Sequence, residues 1–98
     1  MTIDKTLNGT ELYVKVSGRL DTNTSPELEE QLNSLIPSVE NLVIDFAELD
    51  YISSAGLRVL LSAHKKVSLN GKMVIKNIND VVSEVFEVTG FKDILNIE

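Results

Sequence analysis

Asp50-Tyr51-Ile52-Ser53-Ser54-Ala55-Gly56-Leu57-Arg58 stands between two runs of different periodicity, and the way it joins them decides the fold. Before it, Leu42-Val43-Ile44 is a continuous apolar run, the mark of a central strand covered on both faces or nearly so. After it, Leu57, Leu60, Leu61, His64 and Val67 recur at helical spacing. Lys65 and Lys66 fall toward the end of that helix, where its dipole favours cations. A buried strand leading through a short connection into an amphipathic helix is the basic unit of an α/β fold. The connection has a chemistry of its own. Two serines and two small residues begin the helix, so their hydroxyls lie among backbone N–H groups that have no partner within the helix. Such a start can cap itself, and it suits an anion.

Toward the N-terminus, residues 3–7 alternate weakly, Asn8-Gly9 is a two-residue turn signal, and Leu12, Val14 and Val16 alternate with Tyr13, Lys15 and Ser17. This predicts a β-hairpin whose second strand turns Leu12, Val14 and Val16 to the core. Gly18-Arg19-Leu20-Asp21 ends that strand, and Thr22-Asn23-Thr24-Ser25 leads to Pro26, whose fixed φ suits the first turn of a helix. Thr24, with Glu27 three residues on, fits a capping box; Ser25 as the cap would put Pro26 at the first helical position. Leu28, Leu32, Leu35 and Ile36 form one stripe of that helix, which stops before Pro37.

Toward the C-terminus, Asn70-Gly71 is a stop signal and Met73-Val74-Ile75 a compact strand. Residues 81–89 are rich in valine, which favours strand, but Val82, Val85, Phe86 and Thr89 recur with the helical period, and the period decides for helix. Gly90 stops it, and residues 91–97 alternate loosely as a last edge strand. The order is β-β-α-β-α-β-α-β: a mixed sheet of about five strands with three helices packed against it, one domain over residues 1–98.

Composition narrows the chemistry. Fifteen Asp and Glu against nine Lys and Arg give a formal charge of −6, which repels nucleic-acid phosphates. With no cysteine there is neither a disulfide nor a thiolate metal site, and one histidine argues against a zinc centre. The N-terminus lacks the basic and apolar regions of a secretory signal and no run approaches the ~18 apolar residues of a membrane span, so a cytoplasmic protein is expected. A catalytic serine needs a base in reach, yet His64 lies ten residues along the same helix from Ser54, roughly 15 Å away. His64 also falls in the apolar stripe and reads as a packed helix residue. Asp21, Asp45 and Asp50 fall at strand ends without the spacing of a metal site, and Gly18 and Gly56 are isolated, so no phosphate-binding glycine loop is present. Arg58, one turn into the helix, can pair with a phosphate or with Asp50, or stand solvated. By local chemistry alone the serine pair is a helix cap.

Gly18-Arg19-Leu20-Asp21, Leu42-Val43-Ile44-Asp45-Phe46 and Tyr51-Ile52-Ser53-Ser54-Ala55-Gly56-Leu57 with its following helix together resemble a STAS domain, in particular the stand-alone anti-sigma-factor antagonists of bacteria. The resemblance runs over essentially the whole chain. It implies a non-enzymatic switch without a cofactor. The unmodified form would bind an anti-sigma factor, a serine kinase of the GHKL ATPase type, and so free a sigma factor. The kinase would phosphorylate one serine, and a PP2C-type phosphatase would restore it. Matching on Gly56 and Leu57 places that serine at Ser54, with Asp21 as the loop carboxylate beside it and Ile52, Ser53, Ala55, Gly56, Leu57 and Arg58 as its surroundings. Ile52 and Leu57 are expected as exposed apolar contacts for the kinase. Two positions depart from the pattern. Ser53 stands where many regulatory members carry Asp, which makes it a rival acceptor, and Ala55 stands where Ser or Thr is frequent. STAS domains without a phosphorylation cycle also exist, so the alternative is a constitutive interaction or nucleotide-binding module, for example a transporter-associated subunit.

Overall fold

Strand β2 is the backbone of the sheet, because it pairs with three others. A computed structural model describes residues 1–98. β1 (Thr2–Asn8) runs antiparallel to β2 (Glu11–Leu20), and β3 (Asn41–Asp45) lies parallel to the first half of β2, with Leu12 opposite Leu42 and Val14 opposite Ile44. β5 (Lys72–Lys76) continues the parallel set beyond β3, and β6 (Asn96–Ile97) closes the far edge. The order is β1-β2-β3-β5-β6, and β4 (Leu49–Ile52) stands apart from this row, pairing only with the far end of β2.

The alternation in β2 acts as the sequence predicts. Leu12, Val14 and Val16 are fully buried, and with Leu42, Ile44, Met73 and Ile75 they form one face of the core. Three helices cover that face. α1 (Ser25–Leu35) contributes Leu28 and Leu32, α2 (Ser54–Val67) Leu57, Leu60, Ala63 and Val67, and α3 (Asp80–Thr89) Val82 and Phe86. The helical period of the valine-rich segment therefore wins over its strand propensity, because Val82 and Phe86 fall on one buried face.

Four local features differ from the sequence reading. The hairpin loop is Gly9-Thr10, one residue later than Asn8-Gly9, since Asn8 still pairs with Glu11. Thr24 holds the cap position of α1 but makes no side-chain cap bond, its hydroxyl being engaged elsewhere. The segment after Gly90 is mostly a short 3-10 turn, Phe91–Asp93, in which the Phe91 carbonyl accepts from the N–H groups of Ile94 and Leu95, leaving only Asn96 and Ile97 as strand. Finally, β4 is a sixth strand within a stretch read as connection. Its pairing begins at Gly18 opposite Leu49 and shifts register between Gly18 and Arg19, with Asp50 as the extra residue on β4, and Gly18 has φ of +91°, open to glycine and strained for other residues. Beyond the bulge Arg19 faces Tyr51 and Leu20 faces Ile52.

The uncovered face of the sheet carries one buried charge. Asp45, at the end of β3 and 6% exposed, lies between Lys15 and Lys76 in the strand register. Its carboxylate accepts from the Tyr13 hydroxyl, from the Ala47 N–H at 2.8 Å and from Asn77 Nδ2 at 3.1 Å. Burial by itself pushes this carboxyl up, but the three donors and the Lys15 ammonium outweigh it and hold its pKa below the ordinary value. The same hydrogen bond, then burial, raises the Tyr13 phenol. Asn77 is the only non-glycine residue with positive φ, 63°, in keeping with asparagine's tolerance of that region. Because the folded pKa of Asp45 is depressed, its stabilisation is complete above the unfolded value of about 3.9 and is lost as pH falls through the lower folded value. Asp45→Ala should cost about 1–3 kcal/mol near neutral pH, because it strands donors, and should flatten the acid limb of stability. Urea unfolding across pH 3 to 7 measures both; an unchanged acid limb would remove Asp45 from this role.

Candidate functional site

The end of β2 and the short, bulged β4 deliver two chain segments to one place. The Ser53 N–H donates to the Leu20 carbonyl at 2.9 Å, joining the start of α2 to the end of β2, one residue before Asp21. Ser53 is in extended conformation and caps α2: its hydroxyl oxygen accepts from the Gly56 N–H at 3.5 Å, and its carbonyl accepts from the Leu57 N–H at 3.0 Å. Ser54 is the first helical residue. It is exposed, and its hydroxyl makes no hydrogen bond within the protein. The two serines, equivalent by local chemistry, thus differ in the fold: one is spent on the cap and half-buried, the other is free.

Asp21 is locked into the turn before α1. Its carboxylate accepts from the N–H groups of Thr24 at 3.1 Å and Asn23 at 3.0 Å, and from the Thr24 hydroxyl. That hydroxyl oxygen also accepts from the Asp21 N–H and lies 2.8 Å from the Arg19 carbonyl. The Thr24 N–H leads the set that holds this carboxyl below the ordinary range, with Asn23, the Thr24 hydroxyl and Arg19 adding to it against partial desolvation. Arg19 approaches Asp21 at 3.8 Å and lays its guanidinium over the Tyr51 ring, 4.4 Å from the centroid. Arg19, Thr24 and Tyr51 are thus part of the site although the sequence reading did not single them out. Only recognition of β4 as a strand could have placed Tyr51 opposite Arg19.

Beneath this surface the site is packed. Ile52 is 1% and Leu57 4% exposed, so both belong to the core and are closed to a partner, contrary to the expected apolar contacts. Their side chains serve instead as the floor on which the helix start rests. Gly56 makes that contact possible: a Cβ there would lie 2.8 Å from Ile52 Cγ1 and 2.9 Å from Leu20 Cγ. Ala55 and Arg58 face outward into a groove of about 200 Å³ between the first turns of α1 and α2, whose other walls are Thr22, Ser25, Pro26, Glu29 and Val59. Asp45 and Asp50 lie apart from it: Asp45 is engaged on the open sheet face and Asp50 is solvated on β4. His64 is half-buried further along α2, its Nδ1 buried without a hydrogen-bond partner. No group of three His, Asp or Glu side chains comes together to hold a metal ion, and no helix is long and apolar enough to cross a membrane.

The small α/β domain thus holds a capping serine and a free one at a helix start beside an ordered loop carboxylate. Residues 2–98 match the STAS domain family, and the chain belongs to that family. It is 33% identical over 86 residues to the anti-sigma-B factor antagonist of Staphylococcus aureus, a match covering 86% of this chain and 80% of that protein. The counterpart of the same name in Bacillus subtilis is 29% identical over 96 residues, covering 97% of this chain and 88% of that protein. Among solved structures, an anti-sigma factor antagonist from Mycobacterium paratuberculosis superposes with a TM-score of 0.89 at 23% identity, over 98% of this chain and 83% of that one. The antagonist SpoIIAA, solved in an unphosphorylated form, gives 0.86 at 16% identity over 99% and 88%, and its phosphorylated form gives 0.78 at 15% over 99% and 91%. At those identities the structural matches speak for the fold.

The packing beneath the site predicts that Gly56→Ala lowers stability by about 1–3 kcal/mol, since the atoms that would have to move belong to the fully buried side chains of Ile52 and Leu20. Thermal unfolding of this variant beside Ser54→Ala, which touches only an exposed hydroxyl and should melt like the parent, checks the difference. Equal melting temperatures would mean that the helix start is not packed as tightly as the geometry requires.

Proposed function

We propose that this protein is an anti-sigma factor antagonist that acts by binding rather than by catalysis, and that Ser54 is the point at which the binding is switched. The observation that carries the choice of residue is the division of labour at the start of α2: Ser53 supplies the cap and Ser54 presents an unengaged hydroxyl to solvent. The names of the relatives in S. aureus and B. subtilis support the antagonist role, and the existence of SpoIIAA in both phosphorylated and unphosphorylated forms supports a modification cycle on this fold. The partner in this reading is an anti-sigma factor that is itself a serine kinase of the GHKL ATPase type, which the unmodified protein sequesters, freeing a sigma factor. The kinase transfers the γ-phosphoryl group of ATP to Ser54 Oγ, the hydroxyl losing its proton, and a PP2C-type phosphatase hydrolyses the ester.

The physical effect of such a transfer falls on the surface. A phosphoryl group adds about −1.5 to −2 charges at neutral pH. At the first position of α2 it meets free N–H groups and the positive end of the helix dipole, which favour it by roughly 0.3–1 kcal/mol, so the domain stays folded. A partner that has to cover the same spot must desolvate a dianion that stands near the fixed carboxylate of Asp21. Binding therefore weakens while the fold persists.

Ser54→Ala and Ser54→Asp variants, incubated with the cognate anti-sigma factor and ATP, separate the states. Alanine should stay bound while the parent is released with time, and aspartate should bind at least tenfold more weakly. Mass spectrometry of the parent reaction should place the phosphate on Ser54 and leave Ser53 unmodified. If both variants bind as the parent does, Ser54 is not the switch and the protein acts as a constitutive binding module.

A further inference from the structure

α2 lacks the acidic residue that the other helices carry at their starts. Glu27 lies in the first turn of α1 and Asp80 in that of α3, while the first turn of α2 has none. An N-terminal turn without a carboxylate leaves its dipole unmatched. One turn on, Arg58 is exposed and forms no ion pair; the three ion pairs of the protein use Lys15, Arg19 and Lys76. Residues four apart on a helix are neighbours on its surface, so Arg58 stands beside Ser54. Arg58 also lines the groove shared with α1, and the wall opposite includes Ser25, 3% exposed, whose hydroxyl is buried without a hydrogen-bond partner. A free guanidinium, an unmatched helix start and an orphaned hydroxyl together describe a place that lacks an anion.

We propose that Arg58 is the internal receptor of a phosphoryl group on Ser54, drawing it along the surface of α2 toward the groove between α1 and α2. This rests on the reading of Ser54 as the modified residue and deepens it: the phosphorylated form carries a phosphate paired within its own helix. Arg58 is a positioning residue here. Its planar fork and permanent charge suit a phosphate better than a lysine would. The remaining charges that meet at this end of the molecule do not substitute for it. Glu29 of α1, which lines the groove, and Asp21 of the loop repel a dianion, and Arg19 is engaged with Tyr51 and Asp21.

The test uses full-length protein with phosphoserine encoded genetically at position 54, so that it does not depend on any kinase. The second ionisation of the phosphate, near pH 6 in an unperturbed phosphoserine, is followed by phosphorus NMR. A cation beside the phosphate favours the dianion and lowers this pKa, whereas the surrounding carboxylates raise it. Arg58→Gln should therefore raise the value by about 0.3 unit or more, the size expected of a surface pair four residues apart on a helix. Arg58→Lys should recover part of the shift, and Lys65→Gln, which removes an exposed charge near the other end of α2, should leave it in place. Equal values in the parent and Arg58→Gln, or an equal rise in Lys65→Gln, would overturn the proposal. Absence of phosphate at Ser54 after treatment with the kinase would count against the switch reading alone.

Discussion

A single strand that changes partner along its length makes the site. β2 pairs with β3 as far as Lys15 opposite Asp45 and with β4 from Gly18 opposite Leu49, where Gly18 adopts a backbone conformation strained for other residues. The Gly18 N–H closes the corner by donating to the Glu48 carbonyl at 3.0 Å. A bulge follows at once, with Asp50 of β4 as the extra residue between the Gly18–Leu49 and Arg19–Tyr51 pairs. Beyond it, Leu20 faces Ile52, and the next hydrogen bond in the series is the one from Ser53 to Leu20 that seats the start of α2 beside the loop of Asp21. The juxtaposition of the two loops follows from this change of partner along one strand.

The polar anchors divide along the same line. Asp45 and Asp21 both have carboxyls held below their ordinary range by local donors, but they serve different parts of the molecule. Asp45 is buried and draws Tyr13 of β2, Ala47 and Asn77 together, fixing the turn between β3 and β4. Asn79 adds to that fixation by donating to the Leu49 carbonyl at 2.7 Å while capping α3 with its oxygen. Asp21 is half-buried at the surface and fixes only its own turn. Its order is local, so its charge can stand at the surface in a set geometry without burdening the core.

Much of this arrangement is legible in the sequence where periodicity is long enough to be decisive. β2, α2 and α3 each repeat their pattern over several turns or rungs; the pattern selects the buried face of β2, while in α2 Val59 and Ala63 are buried outside the predicted stripe and Leu61 and His64 within it are half-buried, and in α3 Thr89 is exposed. β4 is not legible in this way. Leu49-Asp50-Tyr51-Ile52 has four residues, its two buried side chains are three apart, and its partner is displaced by a bulge that leaves no compositional trace beyond one glycine. The same gap misplaced Ile52 and Leu57: next to a supposed surface loop they read as exposed, whereas as the end of a strand and the first turn of a packed helix they are floor. Family resemblance located Ser54, but resemblance says nothing about which of two adjacent hydroxyls is engaged. That distinction comes from the backbone, since only the residue in extended conformation before the helix can turn its oxygen back onto the Gly56 N–H.

The site is accordingly built in two layers with separate duties. The lower layer, Leu20, Ile52, Gly56 and Leu57, is apolar and tight, and a single added carbon at Gly56 would disturb it. The upper layer is polar, with Ser54 and Arg58 exposed and Asp21 half-buried, and none of its side chains belongs to the apolar core. A covalent change in the upper layer alters charge and hydration at the surface by amounts comparable to a binding energy difference, on the order of a few kcal/mol for a desolvated ion. It leaves the lower layer as it was, because anions at a helix start favour the helix. A switch placed one residue earlier, on Ser53, would act on the cap and so on the join between β2 and α2. Under the proposed reading, placement at the first free hydroxyl beyond the cap would separate the stability of the fold from the state of the surface, so that a domain of this size could be modified and restored without unfolding.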